Sequence, residues 1–319
     1  MRFLKGDAAN RTQEWQRRRD NFRTNAFKLI KEILELTTLP VPQELVNELR
    51  ELVKEALHSI FFMAKIMNLS LNEIFAKKEV LLEELRQTYE QPFKHYSTQV
   101  PQRHPMSCVL DMIVRVSGER NENIIKQRLQ QINSRLTRDR NEKFLISTTM
   151  CVSQNTEIPD SVRYYGVSMS TSGGRLRDIM IAASCCVYWD SHVANAVMTY
   201  YPNKKKMHDF DGTFILPKKV RCQAFSITDP LGEKPPCKSC KNLFGFRTTE
   251  FAYGNCAEVE SVSNLFKNER EIKEQSQLLR PNTNTAENRQ KVRKSTLEKL
   301  KSIVGFTWTY MFYPDLRYT

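Results

Sequence analysis

The chain has 319 residues, 40% of them hydrophobic and 27% charged. That leaves ample material for a packed core, excludes wholesale disorder, and at ~150 residues per domain allows two domains or one large one. Lys and Arg exceed Asp and Glu by 13, a surplus that favours polyanionic partners. No apolar run reaches the ~18 residues of a membrane span, and no apolar stretch follows the start. A cytoplasmic or nuclear protein without a secretory leader is therefore expected.

The first 140 residues read as helices. Phe22, Ala26, Leu29, Ile30, Ile33 and Leu36 recur every three or four positions and predict a helix that ends at the Leu39-Pro40-Val41-Pro42 break. A second runs from about Gln43 to Met67, with Leu45, Leu49, Leu52, Val53, Ala56, Ile60 and Met63 on one face. Ser70 and Asn72 can cap a third, which carries Leu71 to Leu85 and stops before Pro92. A polar stretch with two prolines, 97–106, separates it from short helices at 106–116 and 120–136. Residues 1–140 are thus expected to form a helical bundle without a catalytic constellation.

The pattern changes near residue 143. Phe144 to Val152 is β-rich, and Arg163 to Gly174 reads as a strand ending in a Gly-Gly turn. Residues 176–201 are apolar and helical at least from Asp190. Strands are expected at Thr213–Leu216 and Val220–Ile227, then a Pro-rich loop, DPLGEKPP. Helices follow at 256–280 and 287–303, and the aromatic run from Phe306 to Tyr313 reads as a last strand. Residues 141–319 are therefore expected to form a mixed-sheet domain with flanking helices, giving an α+β or α/β fold overall.

Eight cysteines in a chain with no expected leader point to thiols or metal ligands. Cys108, Cys151, Cys185 and Cys186 lie in apolar surroundings and read as core residues. Cys222, Cys237, Cys240 and Cys256 cluster beside prolines, glycines and polar residues. Cys237 and Cys240, three positions apart at a helix start, can hold one zinc ion, and Cys256 at a second helix start can complete a three-thiolate shell. Glu258, two positions after Cys256, then faces the open fourth position as a proton carrier.

Pro236-Cys237-x-x-Cys240 and Cys256-Ala257-Glu258 together resemble the two motifs of the cytidine-deaminase-like superfamily. The Gly254-Asn255-Cys256-Ala257-Glu258 run looks more like toxin-type and nucleic-acid deaminases than metabolic cytidine deaminases. The resemblance covers about residues 145–315. It implies a deaminase-like zinc domain acting on a nucleobase, in a nucleotide or a single-stranded nucleic acid, with roles such as editing or antiviral and innate immune defence. Cys237, Cys240 and Cys256 would hold Zn2+ and Glu258 would be the general acid/base. The two motifs stand in reversed order here. Reversal is geometrically feasible, because a helix over 237–244 rises ~12 Å and the ten residues after it can retrace that distance at ~3.3 Å each.

A different outcome is a closed zinc site with Cys222 or His208 as fourth ligand, in a non-enzymatic adaptor or nucleic-acid-binding protein whose helical domain recruits a protein partner. A metal-free core is a third. Lys204, Lys205 and Lys206 form a basic loop able to contact phosphates. His192 and Asn195 read as structural or substrate-facing, and Arg17-Arg18-Arg19 as an exposed helix face. Tyr164, Tyr165, Tyr188, Trp189, Tyr200 and Tyr201 read mostly as core, with base stacking as their functional alternative.

Overall fold

The computed structural model describes residues 2–137, 144–169, 171, 174–202, 209–244 and 254–315. Helix α1 (Arg2–Thr37) packs on α2 (Gln43–Ile66) through the faces their periodicity marks. Phe22, Ala26, Leu29, Ile30 and Ile33 of α1, and Val53, Ala56, Ile60 and Met63 of α2, are fully buried. The expected third helix is three: α3 (Leu71–Ile74), α4 (Glu79–Thr88) and α5 (Glu90–His95). A Ser70–Glu73 capping box opens α3, and Lys77, at φ +62°, interrupts the chain before α4. Pro92 does not end the helical region, because it occupies the first turn of α5, where no N–H is needed. Strand β1 (Val100–Pro101) and helices α6 (Pro105–Ser117) and α7 (Glu122–Thr137) follow.

The second half holds β2 (Thr149–Asn155), β3 (Tyr164–Val167), α8 (Gly174–Ala183), a π-helical turn (Ser184–Tyr188) and α9 (Ser191–Met198). Then come β4 (Phe214–Ile215), β5 (Val220–Ser226), β6 (Gly232–Lys234), α10 (Lys238–Leu243), α11 (Ala257–Asn268) and α12 (Arg270–Gln275). The chain continues with β7 (Gln277–Leu278), α13 (Ala286–Val304) and β8 (Phe312–Tyr313). The fold is α+β. Its main sheet is antiparallel in the order β3-β2-β5-β6, beside two small pairs, β4-β7 and β1-β8. Strand β2 starts at Thr149, later than expected, because Leu145 takes a positive φ and Phe144–Ile146 bury their side chains outside the sheet. The Pro-rich loop contains the edge strand β6, and the terminal aromatic run contributes only Phe312–Tyr313 to a strand. Among the described residues no helix is long and apolar enough to cross a membrane.

Helix α11 lies across β2, β3 and β5. Gly166 of β3 permits the contact: a Cβ there would sit 2.4 Å from Ala257 O and Ser261 N. The hydrophobic core is continuous from the helical half into the sheet half, and β1 pairs in parallel with β8 near the far end of the chain. A buried polar knot joins the halves as well. Arg103 donates to both carboxylate oxygens of Glu55 at 2.9 Å and to Tyr188 Oη at 2.6 Å, and also reaches Asp111 and Ser107. Ser107 donates in turn to Glu260 on α11, whose second oxygen accepts from Val167 N at 2.9 Å.

Candidate metal centre

Three cysteines meet where two helices begin. Cys237 is the N-cap of α10 and its sulfur accepts from Cys240 N–H at 3.4 Å. Cys256 is the N-cap of α11, with extended backbone angles that turn it toward α10. Gly254, at φ +68°, packs so closely on α9 that a Cβ would lie 2.6 Å from Val197 Cγ1, which fixes the approach to Cys256. The Sγ atoms of Cys237 and Cys256 are 3.2 Å apart, and all three sulfurs lie within 4.8 Å of one another.

This donor set fits zinc. Sulfurs bound tetrahedrally at about 2.3 Å stand roughly 3.8 Å from one another, close to the spacing seen here. Cys237 is held far below the ordinary thiol value by hydrogen bonds from Cys240 and then Cys256. Cys240 is pushed well above it by burial, and Cys256 by its hydrogen bond to Cys237. The thiols thus oppose one another's ionisation, Cys237 favoured and Cys240 and Cys256 disfavoured. A divalent cation removes that constraint and releases their protons.

Glu258 belongs to the same group. It is 4% exposed and lies close enough to Cys237 and Cys240 for both to act on its carboxyl group. Burial, and then the charge on Cys237, raise its pKa. Among the described residues no cationic side chain pairs with it.

Other expected residues lie elsewhere. Cys222 of β5 places its sulfur 3.6 Å from that of Cys151 on β2, behind the cluster, and is not among the three converging ligands. His192 lies at the start of α9 beside Asp190 and Phe266. Asn195 is buried in α9, where its carbonyl accepts from Thr199. His208, Lys204, Lys205 and Lys206 fall outside the described residues. Arg18 and Arg19, expected on an exposed face, are half-buried: Arg18 covers the Phe144 ring and Arg19 donates to Asn68 O and Glu73.

A cavity of about 10 Å³, room for about one water, lies beside Cys256 and is lined by Tyr188 and Trp189 together with residues that sequence reasoning passed over. Arg103 and His104 reach it from the helical half, Tyr188 and Trp189 from the π-helical turn, and Glu260 from α11. Of the residues passed over, Arg103, His104 and Glu260, only Glu260 carried a signal: it follows Cys256 by one helical turn and so shares its face. No protein-family model, curated protein or solved structure matches the chain.

Proposed function

We propose that the chain is a zinc-dependent hydrolytic deaminase of a nucleobase, carried in a nucleotide or a single-stranded nucleic acid. The observation that supports this reading most is the Glu258 carboxyl group, buried without a cationic partner among the described residues and close beside the three-cysteine cluster. Cys237, Cys240 and Cys256 would hold the metal, which supplies Lewis acidity and acidifies water. Glu258 takes up one proton of the attacking water and passes it to the ring nitrogen, then takes up the second and passes it to the amine, which leaves as ammonia. Its raised pKa suits both halves of that task, since a carboxylate at its ordinary value would give the proton back too readily. The basic surplus favours phosphate-bearing substrates over free nucleosides.

The second reading, a non-enzymatic zinc-stabilised adaptor, is favoured by the small size of the cavity at Cys256, which admits no base as it stands. Glu258→Gln separates the two. It keeps the size of the side chain and loses the proton. The deaminase reading expects full zinc content and a rate lowered by ~10²–10⁴, measured as ammonia release or base conversion with cytidine, adenosine, single-stranded DNA and RNA. An unchanged rate, or zinc lost with the substitution, would overturn it.

A further inference from the structure

At the opposite end of α11 lies a second basic site. Lys267 is eleven residues beyond Cys256, about 16 Å along the helix. With Arg270 and Lys273 of α12, Phe266, Asp190 and His192, it lines an open groove of about 460 Å³. Its two acids are already engaged. Asp190 is buried, caps α9 through His192 N and binds Lys273 Nζ at 2.5 Å. Glu274 pairs with Arg270 at 2.7 Å.

The remaining cations have no acidic partner among the described residues. Lys267 stands over the Tyr188 ring, with Nζ 3.9 Å from its centroid. Arg289 of α13 lies close enough to act on His192, and it donates only to the carbonyl and side-chain oxygens of Asn284. His192 reports the resulting field. Its Nδ1 is buried without a hydrogen-bond partner, and its pKa is lowered by burial and then by Lys273, more than Asp190 restores. The groove thus combines three cations against two acids, a ring nitrogen without a hydrogen-bond partner and an aromatic floor at Phe266.

We propose that this groove binds a phosphate group, held by Lys267 and Arg270 beside His192, with Arg289 reaching it from beyond His192. Ammonium and guanidinium groups of α11 and α12 line the groove, and a second guanidinium, on α13, lies beyond His192, a mixture suited to the oxygens of a tetrahedral anion. A free polyphosphate and the backbone phosphate of a single strand offer the same oxygens. The site does not depend on the metal centre, so it stands or falls separately from the deaminase reading.

Titration calorimetry of the full chain with inorganic tripolyphosphate tests it, beside anisotropy with a labelled thymidine oligonucleotide. Lys267→Gln with Arg289→Gln should weaken tripolyphosphate binding about tenfold or more, at unchanged melting temperature. Lys301→Gln, a control at the far end of α13, and Glu258→Gln should leave it unchanged. Oligonucleotide binding weakened in parallel, and displaced by tripolyphosphate, identifies a backbone phosphate. An oligonucleotide indifferent to the double substitution identifies a free phosphate ester. No heat with tripolyphosphate, or equal affinity in the double variant and the Lys301 control, sinks the proposal.

Discussion

The Arg103 knot and the cysteine cluster are both polar groups, the first buried and the second opening to the surface at Cys237, and both hold α11 within its first turns, through Glu260 and Cys256 respectively. They differ in how they are satisfied. At Arg103 a guanidinium is surrounded by Glu55, Asp111, Tyr188 and Ser107, so its positive charge meets acids and hydroxyls. At the cluster three sulfurs and a carboxylate converge with no cation among the described residues. Uncompensated buried charge is costly. A complete set of partners thus marks the first as a structural tie, whereas three converging sulfurs beside a buried carboxyl group make the second a set that could hold a metal ion.

The largest expected effect tests that difference directly. Purified chain should carry about one zinc, and Cys237→Ser with Cys240→Ser should lose it together with much of the stability, since structural zinc is worth ~10–16 kcal/mol in small peptides. Metal analysis and thermal melts decide it; a metal-free chain with full stability would make the cluster merely a packed group of thiols. The next effect falls on the other side of the comparison. Arg103→Met leaves Glu55 and Asp111 facing each other without their cation and should cost ~3–5 kcal/mol, read by denaturant unfolding. Pairing it with Glu55→Met should recover part of that loss. A double variant as unstable as the sum of the singles would show that the ion pair does not act as a unit.

The same contrast separates what the sequence reveals from what it hides. Apolar faces such as Phe22–Ala26–Leu29–Ile33 are legible because helical periodicity is local. The three cysteines are legible for a related reason: each sits at a helix start, next to residues that break or cap. The Arg103 knot is not. Its members come from α2, α6, the π-helical turn and α11, and Ser107 stands 153 positions from Glu260. The stretch 97–106 therefore reads as a polar linker, whereas Gln99, Gln102, Arg103 and His104 are buried. Polar residues predict exposure only when no distant partner supplies their hydrogen bonds. Strand β6 was hidden by the reverse effect: prolines and a glycine mark a loop, but β5 offers a free edge for Gly232–Lys234 to pair with.

The smallest expected effect concerns two buried histidines that refine the comparison. His104 stands next to Arg103 in the chain, yet the knot's acids do not charge it. Burial, and then the Arg103 cation, lower its pKa to about 3. His58, stacked on Tyr313 with ring centroids 4.1 Å apart, is lowered to about 3 as well, mainly by burial. In the unfolded chain both return to about 6.5. Between about pH 3 and 6.5 the native state therefore binds fewer protons than the unfolded state, so stability is full above that window and is lost as pH falls through it. Near pH 5 the loss is about 2 kcal/mol per histidine. His58→Phe keeps a ring against Tyr313 and removes one of the two protons. Its melting temperature should fall less than that of the unmodified chain between about pH 7 and 5. Zinc release on acidification acts on both proteins alike and cancels in the difference. Superimposable pH profiles would mean that His58 takes up its proton in the folded state, which would require a hydrogen-bond or anionic partner that the burial of its ring does not provide.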